Sequence, residues 1–149
     1  MEIKKENLKL LSECYSDNLH IEKSKLCCIV DSTSMEDSVF SGVNLSGSVF
    51  RQGEMRAAEF EQVGMANCAF KNTSMTRPTF NSVGMSGAII SRSDMDRSDF
   101  DCVGLVNAFM NSCDLTGLTL RNCKTGGMTI DGYNVQELIE FYEKNHKGE

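Results

Sequence analysis

The side chains able to do chemistry in this 149-residue chain are two histidines, seven cysteines and a few paired carboxylates. A hydrolytic triad or a metal centre needs histidine set among acidic or thiol partners. His20 and His146 stand apart from any such cluster. The cysteines (Cys14, Cys27, Cys28, Cys68, Cys102, Cys113 and Cys123) show neither the close CxxC pairs of a zinc module nor the framework of a secreted disulfide scaffold. Asp94 with Asp96, and Asp99 with Asp101, lie two residues apart, a spacing open to acid–base work only where a cleft holds a substrate between them. The glycines follow a fixed period and form no phosphate-cradling loop. The chain is therefore expected to be non-enzymatic, with no catalytic residue, no metal and no cofactor.

That fixed period is the main feature of the sequence. A large apolar residue recurs at every fifth position from Met35 to Leu120, eighteen times in all. The centres include Phe40, Phe50, Phe60, Phe70, Phe80 and Phe100, with Met55, Met65, Met75, Met85 and Met95 between them. Two residues before most centres stands a small one, such as Ser38, Ala58, Cys68, Ala88, Ser98 or Cys113, so that a thiol here acts as a compact hydrophobe. A helix buries a stripe at spacing 3.6 and a strand alternates at 2, so a strict 5 requires the chain to turn a corner once per repeat. Val43-Asn44-Leu45, Val63-Gly64-Met65, Val83-Gly84-Met85 and Val103-Gly104-Leu105 are near copies 20 residues apart, which makes four repeats one coil. Centres 20 apart then stack in columns. Aromatic columns face each other, with adaptable Met and Leu columns between them, as a narrow interior requires. Gly64, Gly84 and Gly104 are expected to mark a corner that needs positive φ or close approach.

A four-sided coil with five-residue sides resembles the pentapeptide-repeat family, whose pattern has a Leu or Phe centre, a small residue two before it and Asp or Asn just before it. Asn44, Asp94, Asp99 and Asp114 keep that polar position, whereas Val39, Val49, Gly64, Gly84, Ile89 and Phe109 depart from it. The resemblance implies an all-β solenoid, a right-handed four-sided β-helix whose coils pair by backbone hydrogen bonds, in a protein from a bacterium. It also implies a non-enzymatic, rigid scaffold for protein–protein interaction. Some members are thought to imitate duplex DNA and occupy the DNA-binding saddle of type II topoisomerases, DNA gyrase or topoisomerase IV, giving quinolone or toxin resistance.

The chain is read as a single domain over 1–149. Residues 3–16 read as an N-terminal capping helix, with Leu8, Leu11 and Tyr15 at i, i+3 and i+7 and Ile3, Leu10 and Cys14 broadening the stripe. The rod is placed at 19–130, with a distorted first coil where the frame of Leu19 and Ile21 sits one residue off that of Cys28 and Val30. Asp131-Gly132 is a turn signal. Asn134 followed by Glu137 opens a C-terminal helix over 135–145. Val135, Leu138, Ile139 and Tyr142 give that helix an apolar face, which Phe141 widens. The face either plugs the last coil or, in addition, forms a homodimer contact. No run is long enough for a signal segment or membrane span, so a cytoplasmic protein without membrane contact is expected.

Function is then expected on the outer surface. With a spacing of 20, Glu54, Asp94 and Asp114 share one outer rail, Glu59 and Asp99 a second, and Glu61 and Asp101 a third. These rails form an acidic side for a protein partner. Met35 to Leu120 carries ten acids and six bases; a duplex of the same ~20 Å length would carry about 12 negative charges. Direct nucleic-acid binding is not expected, since the net charge is −6 and the bases form no stripe with aromatics.

Overall fold

The computed structural model describes residues 10–12, 20–22 and 29–146. Fourteen short strands and one helix follow in order: β1 (Leu10–Ser12), β2 (His20–Glu22), β3 (Ile29–Asp31), β4 (Val39–Ser41), β5 (Val49–Arg51), β6 (Glu59–Glu61), β7 (Ala69–Lys71), β8 (Thr79–Asn81), β9 (Ile89–Ser91), β10 (Asp99–Asp101), β11 (Phe109–Asn111), β12 (Thr119–Arg121), β13 (Thr129–Ile130), β14 (Tyr133–Asn134) and α1 (Val135–Asn145). Odd strands β1 to β13 pair in parallel as one sheet, which β14 closes; even strands β2 to β12 pair in parallel as the other. The remaining two sides are joined by single parallel bridges, Ser34 through Glu54, Ser74 and Asp94 to Asp114 on one, Asn44 through Gly64, Gly84 and Gly104 to Lys124 on the other. Each column advances by 20 residues, so the chain is a four-sided β-solenoid.

The period of five has a local cause. Within each side the centre and the small residue point inward, and the chain turns at the residue two past the centre, which takes a left-handed conformation, as at Asn67 (φ 56°), Arg77 (φ 60°) and Asn107 (φ 55°). The following small residue then closes the corner by donating its amide to the centre, Cys68 to Met65 at 3.2 Å and Ala88 to Met85 at 3.0 Å. Left-handed backbone disfavours side chains with a Cβ, yet at most corners it is held by a bond to the next coil, for example the Gln52 amide donating to the Lys71 carbonyl at 3.1 Å. The expected role of Gly64, Gly84 and Gly104 is corrected here. They lie just before the centres on a flat side, and none is among the positive-φ residues; a Cβ at Gly84 would meet nothing within 4 Å. Of the three, a close approach is found at Gly64 alone, where a Cβ would stand 3.3 Å from the Asn44 side-chain oxygen.

The interior is the expected set of columns. Phe40, Phe60, Phe80 and Phe100 stack ring on ring at 4.5 to 4.8 Å, and Phe50 stacks on Phe70 at 4.7 Å. Met55, Met65, Met75, Met85 and Met95 are fully buried between them. Polar groups on the inward small positions are satisfied locally: the Ser98 hydroxyl donates to the Met95 carbonyl at 2.7 Å, and Thr73 donates to Ser93 at 2.9 Å. Such a narrow core therefore tolerates serine without leaving a buried donor unpaired.

Both ends differ from expectation. At the start, Leu10–Ser12 is a strand in register with Ile29–Asp31, so no helix runs through it and the solenoid already includes Leu10, nine residues before the expected start at 19; the other residues of the expected 3–16 helix lie outside the described ones. Leu11 and Ile21 share a five-residue frame, and both β1–β3 and β2–β4 pair at a spacing of 19, whereas β3–β5 pairs at 20. The expected irregularity of the first coil is thus a coil one residue short. At the other end α1 spans Val135–Asn145, with the Asn134 side chain accepting the Glu137 amide at 3.2 Å. It does not plug the rod with its apolar face, since only Val135 is buried and Leu138, Ile139, Phe141 and Tyr142 are exposed. The last coil is filled from within: Leu118 and Met128 occupy the inward positions held by small residues elsewhere, and Met128 is fully buried. Asp131 and Gly132, both left-handed, turn the chain into β14, which pairs antiparallel with β13 and covers that sheet's edge. This hairpin leads straight into α1, whose first residue, Val135, donates its amide to the Met128 carbonyl at 3.0 Å.

Candidate functional site

The acidic residues fall on two adjoining sides. Glu59, Glu61, Asp99 and Asp101 project from the outer face of the even-strand sheet, on β6 and β10, two coils apart. Glu54, Asp94 and Asp114 stand in the bridged column on the next side. Their surroundings separate them into two kinds. Asp94 accepts the Asp96 amide at 2.9 Å and, through its other oxygen, the Thr76 hydroxyl at 3.3 Å. Asp114 accepts the Thr116 amide at 2.9 Å, the same corner bond that Asn44 makes to Ser46. The position just before a centre thus uses a carboxylate or amide oxygen to fasten the turn that follows.

Asp99 is tied to Arg121 by an ion pair of 2.6 Å, and Asp101 accepts from the Asn122 amide group at 3.0 Å. The bond from Asn122 holds the Asp101 carboxyl below the usual aspartate range, helped by Arg121, and the Thr116 hydroxyl and amide lower Asp114 in the same way. Both are fully ionised at neutral pH. Glu54, Glu59 and Glu61 are exposed, and among the described residues their carboxylates make no hydrogen bond or ion pair. Of the seven rail carboxylates, these three are the ones available to a partner. Cations are interspersed on the bridged side, where Glu36 pairs with Arg56 at 2.7 Å and Asp96 with Arg97 at 3.5 Å. The even-strand face is the more strongly acidic of the two, with Arg121 as its one cation among the described residues.

No cluster of three or more metal-ligating side chains exists among the described residues, and no described helix is long and apolar enough to cross a membrane. Cys102, beside Asp101, has its thiol pushed up by desolvation and by the neighbouring carboxylate, which favours the protonated form. The residues missed by reasoning from sequence lie on the opposite sheet. Ile89 and Phe109 are 44% and 49% exposed on β9 and β11, adjacent in register, with Arg51, Lys71 and Arg92 nearby. Their signal was the break in the polar position before the centre, which is apolar at both.

The pentapeptide-repeat description matches residues 38–77 and 80–117 in eight copies. Among solved structures, trypsin-treated QnrB1, a plasmid-mediated fluoroquinolone resistance protein, is similar at 13% identity over 91% of this chain and 96% of that one, with a TM-score of 0.47. Rfr23, a pentapeptide-repeat protein from the cyanobacterium Cyanothece 51142, is similar at 7% identity over 79% and 88%, with a TM-score of 0.30. HetL, a pentapeptide-repeat protein involved in heterocyst differentiation regulation from Nostoc sp. strain PCC 7120, is similar at 9% identity over 81% and 92%, with a TM-score of 0.27. No curated protein matches the chain.

Proposed function

The chain belongs to the pentapeptide-repeat family, and from that premise we propose that it is a non-enzymatic interaction rod that presents its acidic side to a protein partner. The observation that carries this reading is the set of unengaged glutamates, Glu54, Glu59 and Glu61, held on a surface that stacked coils make rigid. Asp94, Asp99, Asp101 and Asp114 extend the same potential while also fastening the fold. A partner with a basic groove is the complement, and rigidity lowers the ordering cost of binding. The test is capture from the organism's own extract on immobilised rod, native against the Glu54→Gln/Glu59→Gln/Glu61→Gln variant. At ~0.5 kcal/mol per exposed charge, the variant is expected to bind its partner about tenfold more weakly, with a weaker salt dependence. Retention of the same proteins by both would remove the acidic side from the function.

The second reading is imitation of DNA on a type II topoisomerase, DNA gyrase or topoisomerase IV. It is favoured by the concentration of four carboxylates on one flat sheet, and opposed by their number, since a duplex of ~24 Å carries about 14 charges. Inhibition of gyrase supercoiling by the native rod, or protection from a quinolone, supports it; no effect at any rod concentration sinks it.

Doubling the length would help such a mimic, and α1 offers the means. We infer a homodimer joined through Leu138, Ile139, Phe141 and Tyr142, because an apolar helix face this open is unfavourable in water. Sedimentation is expected to give a dimer for the native chain and a monomer for Phe141→Glu; a native chain that sediments as a monomer throughout overturns the inference.

A further inference from the structure

The two sheets of the rod carry opposite charges on their outer faces. Around the odd-strand face, Arg51 on β5, Lys71 on β7 and Arg92 just past β9 are exposed, and none makes an ion pair among the described residues. The even-strand face, on the far side, is the acidic one. We propose that the odd-strand face docks the even-strand face of a second copy of this chain, with the two rods antiparallel.

Register is the argument. Both faces are built on one lattice with rungs ~4.8 Å apart, so a match on one rung is carried to the others. Arg51 and Arg92 lie two rungs apart, and so do the Glu59/Glu61 and Asp99/Asp101 pairs. Antiparallel rods put Arg51 against Asp99 and Asp101 and Arg92 against Glu59 and Glu61, with Lys71 over the neutral Thr79 and Asn81. The same alignment brings Phe109 onto Val39 at one end and Asp31 onto Arg121 at the other. Parallel rods also match the central charges, but they set Phe109 against Arg121 and leave Asp31 facing the apolar Val39. An unrelated protein has no reason to share this lattice; a second copy does.

The contact joins two different surfaces, so it does not close on itself and propagates as a side-by-side array. Five rungs of one narrow side bury far less than the roughly 800 Å² per partner of a standard interface. Association is therefore weak and strengthened by concentration. It also covers Glu59 and Glu61, so a protein bound there and the array compete. The inference stands apart from that partner reading, because it rests on the cationic face as well.

The experiment is sedimentation of the full chain carrying Phe141→Glu, which removes any contact through α1, at high protein concentration and ~50 or ~500 mM salt. The chain's net charge of −6 makes non-specific association weaker as salt falls. Matched faces do the reverse, so mass that grows at low salt and returns to monomer at high salt is the expected result. Arg51→Glu/Arg92→Glu and Glu61→Arg/Asp101→Arg are each expected to be monomeric, and an equimolar mixture of the two to associate again. Circular dichroism establishes that both fold, and Arg51→Gln/Arg92→Gln serves if a reversal does not. Orientation is read from Asp31→Arg, which weakens association, and from Arg121→Asp added to it, which restores it only for antiparallel rods. Native-like association of either reversed variant, a mixture that stays monomeric, or mass independent of salt overturns the proposal.

Discussion

Phe70→Ala is expected to lower the unfolding free energy by about 3 to 5 kcal/mol, toward the upper end of that range. The ring is fully buried, stacks on Phe50 at 4.7 Å with planes 4° apart, and has Ile90 on its other side in strict register. What sets the cost of such a void is how far the surroundings collapse. Here they are pinned, since the Ala69 amide donates to Ser48 at 3.0 Å and the Asn72 amide to Ser91 at 3.1 Å, fastening β7 between the neighbouring coils. Leu120→Ala, in the half-buried terminal coil, is expected to lose only about 1 to 2 kcal/mol. Urea unfolding of the two variants measures the difference. Equal losses would mean that stability is not carried by stacking between neighbouring coils.

The same stacking explains what was legible before the structure. A period of five inside a period of twenty leaves no other arrangement for the centres, so the columns of Phe and Met could be assigned residue by residue. Helix α1 was equally plain, because Asn134 and Glu137 mark its start chemically. The start of the rod was not, since Leu8, Leu11 and Tyr15 satisfy a helical stripe while Leu11 and Ile21 also satisfy the five-residue frame. Strand pairing with Ile29–Asp31, a contact distant in sequence, chose between them. The exposure of α1 was hidden for a related reason. An amphipathic face records that something should cover it, whereas where it points depends on the β13–β14 turn. The acids show the opposite limit: their columns followed from the spacing, but only side-chain geometry separates Asp94 and Asp114, which fasten corners, from Glu54, Glu59 and Glu61, which do not.

Ala58→Leu is expected to cost about 2 to 3 kcal/mol, an unusually large penalty for adding apolar atoms to an apolar site. Ala58 is fully buried on the inward small position, in the column that runs from Ser38 through Pro78 and Ser98 to Leu118. Its carbonyl accepts from Thr79 at 3.0 Å and its own amide donates to Met55 at 3.2 Å, so the backbone cannot move outward without breaking a corner. Side chains above and below follow at one coil's spacing, which leaves the extra carbons no axial room either. Leucine is native in this very column at Leu118, where the terminal coil is open on one side and the residue is only partly buried. The controlling variable is thus the presence of a coil on both sides, not the chemistry of the position. Leu118→Ala is accordingly expected to lose about 1 to 2 kcal/mol, the sign of a large side chain that fills the end. Thermal unfolding of both variants is the measurement. An unchanged or raised midpoint for Ala58→Leu would show spare volume inside the rod, and the account of Leu118 and Met128 as the residues that close its end would fail with it.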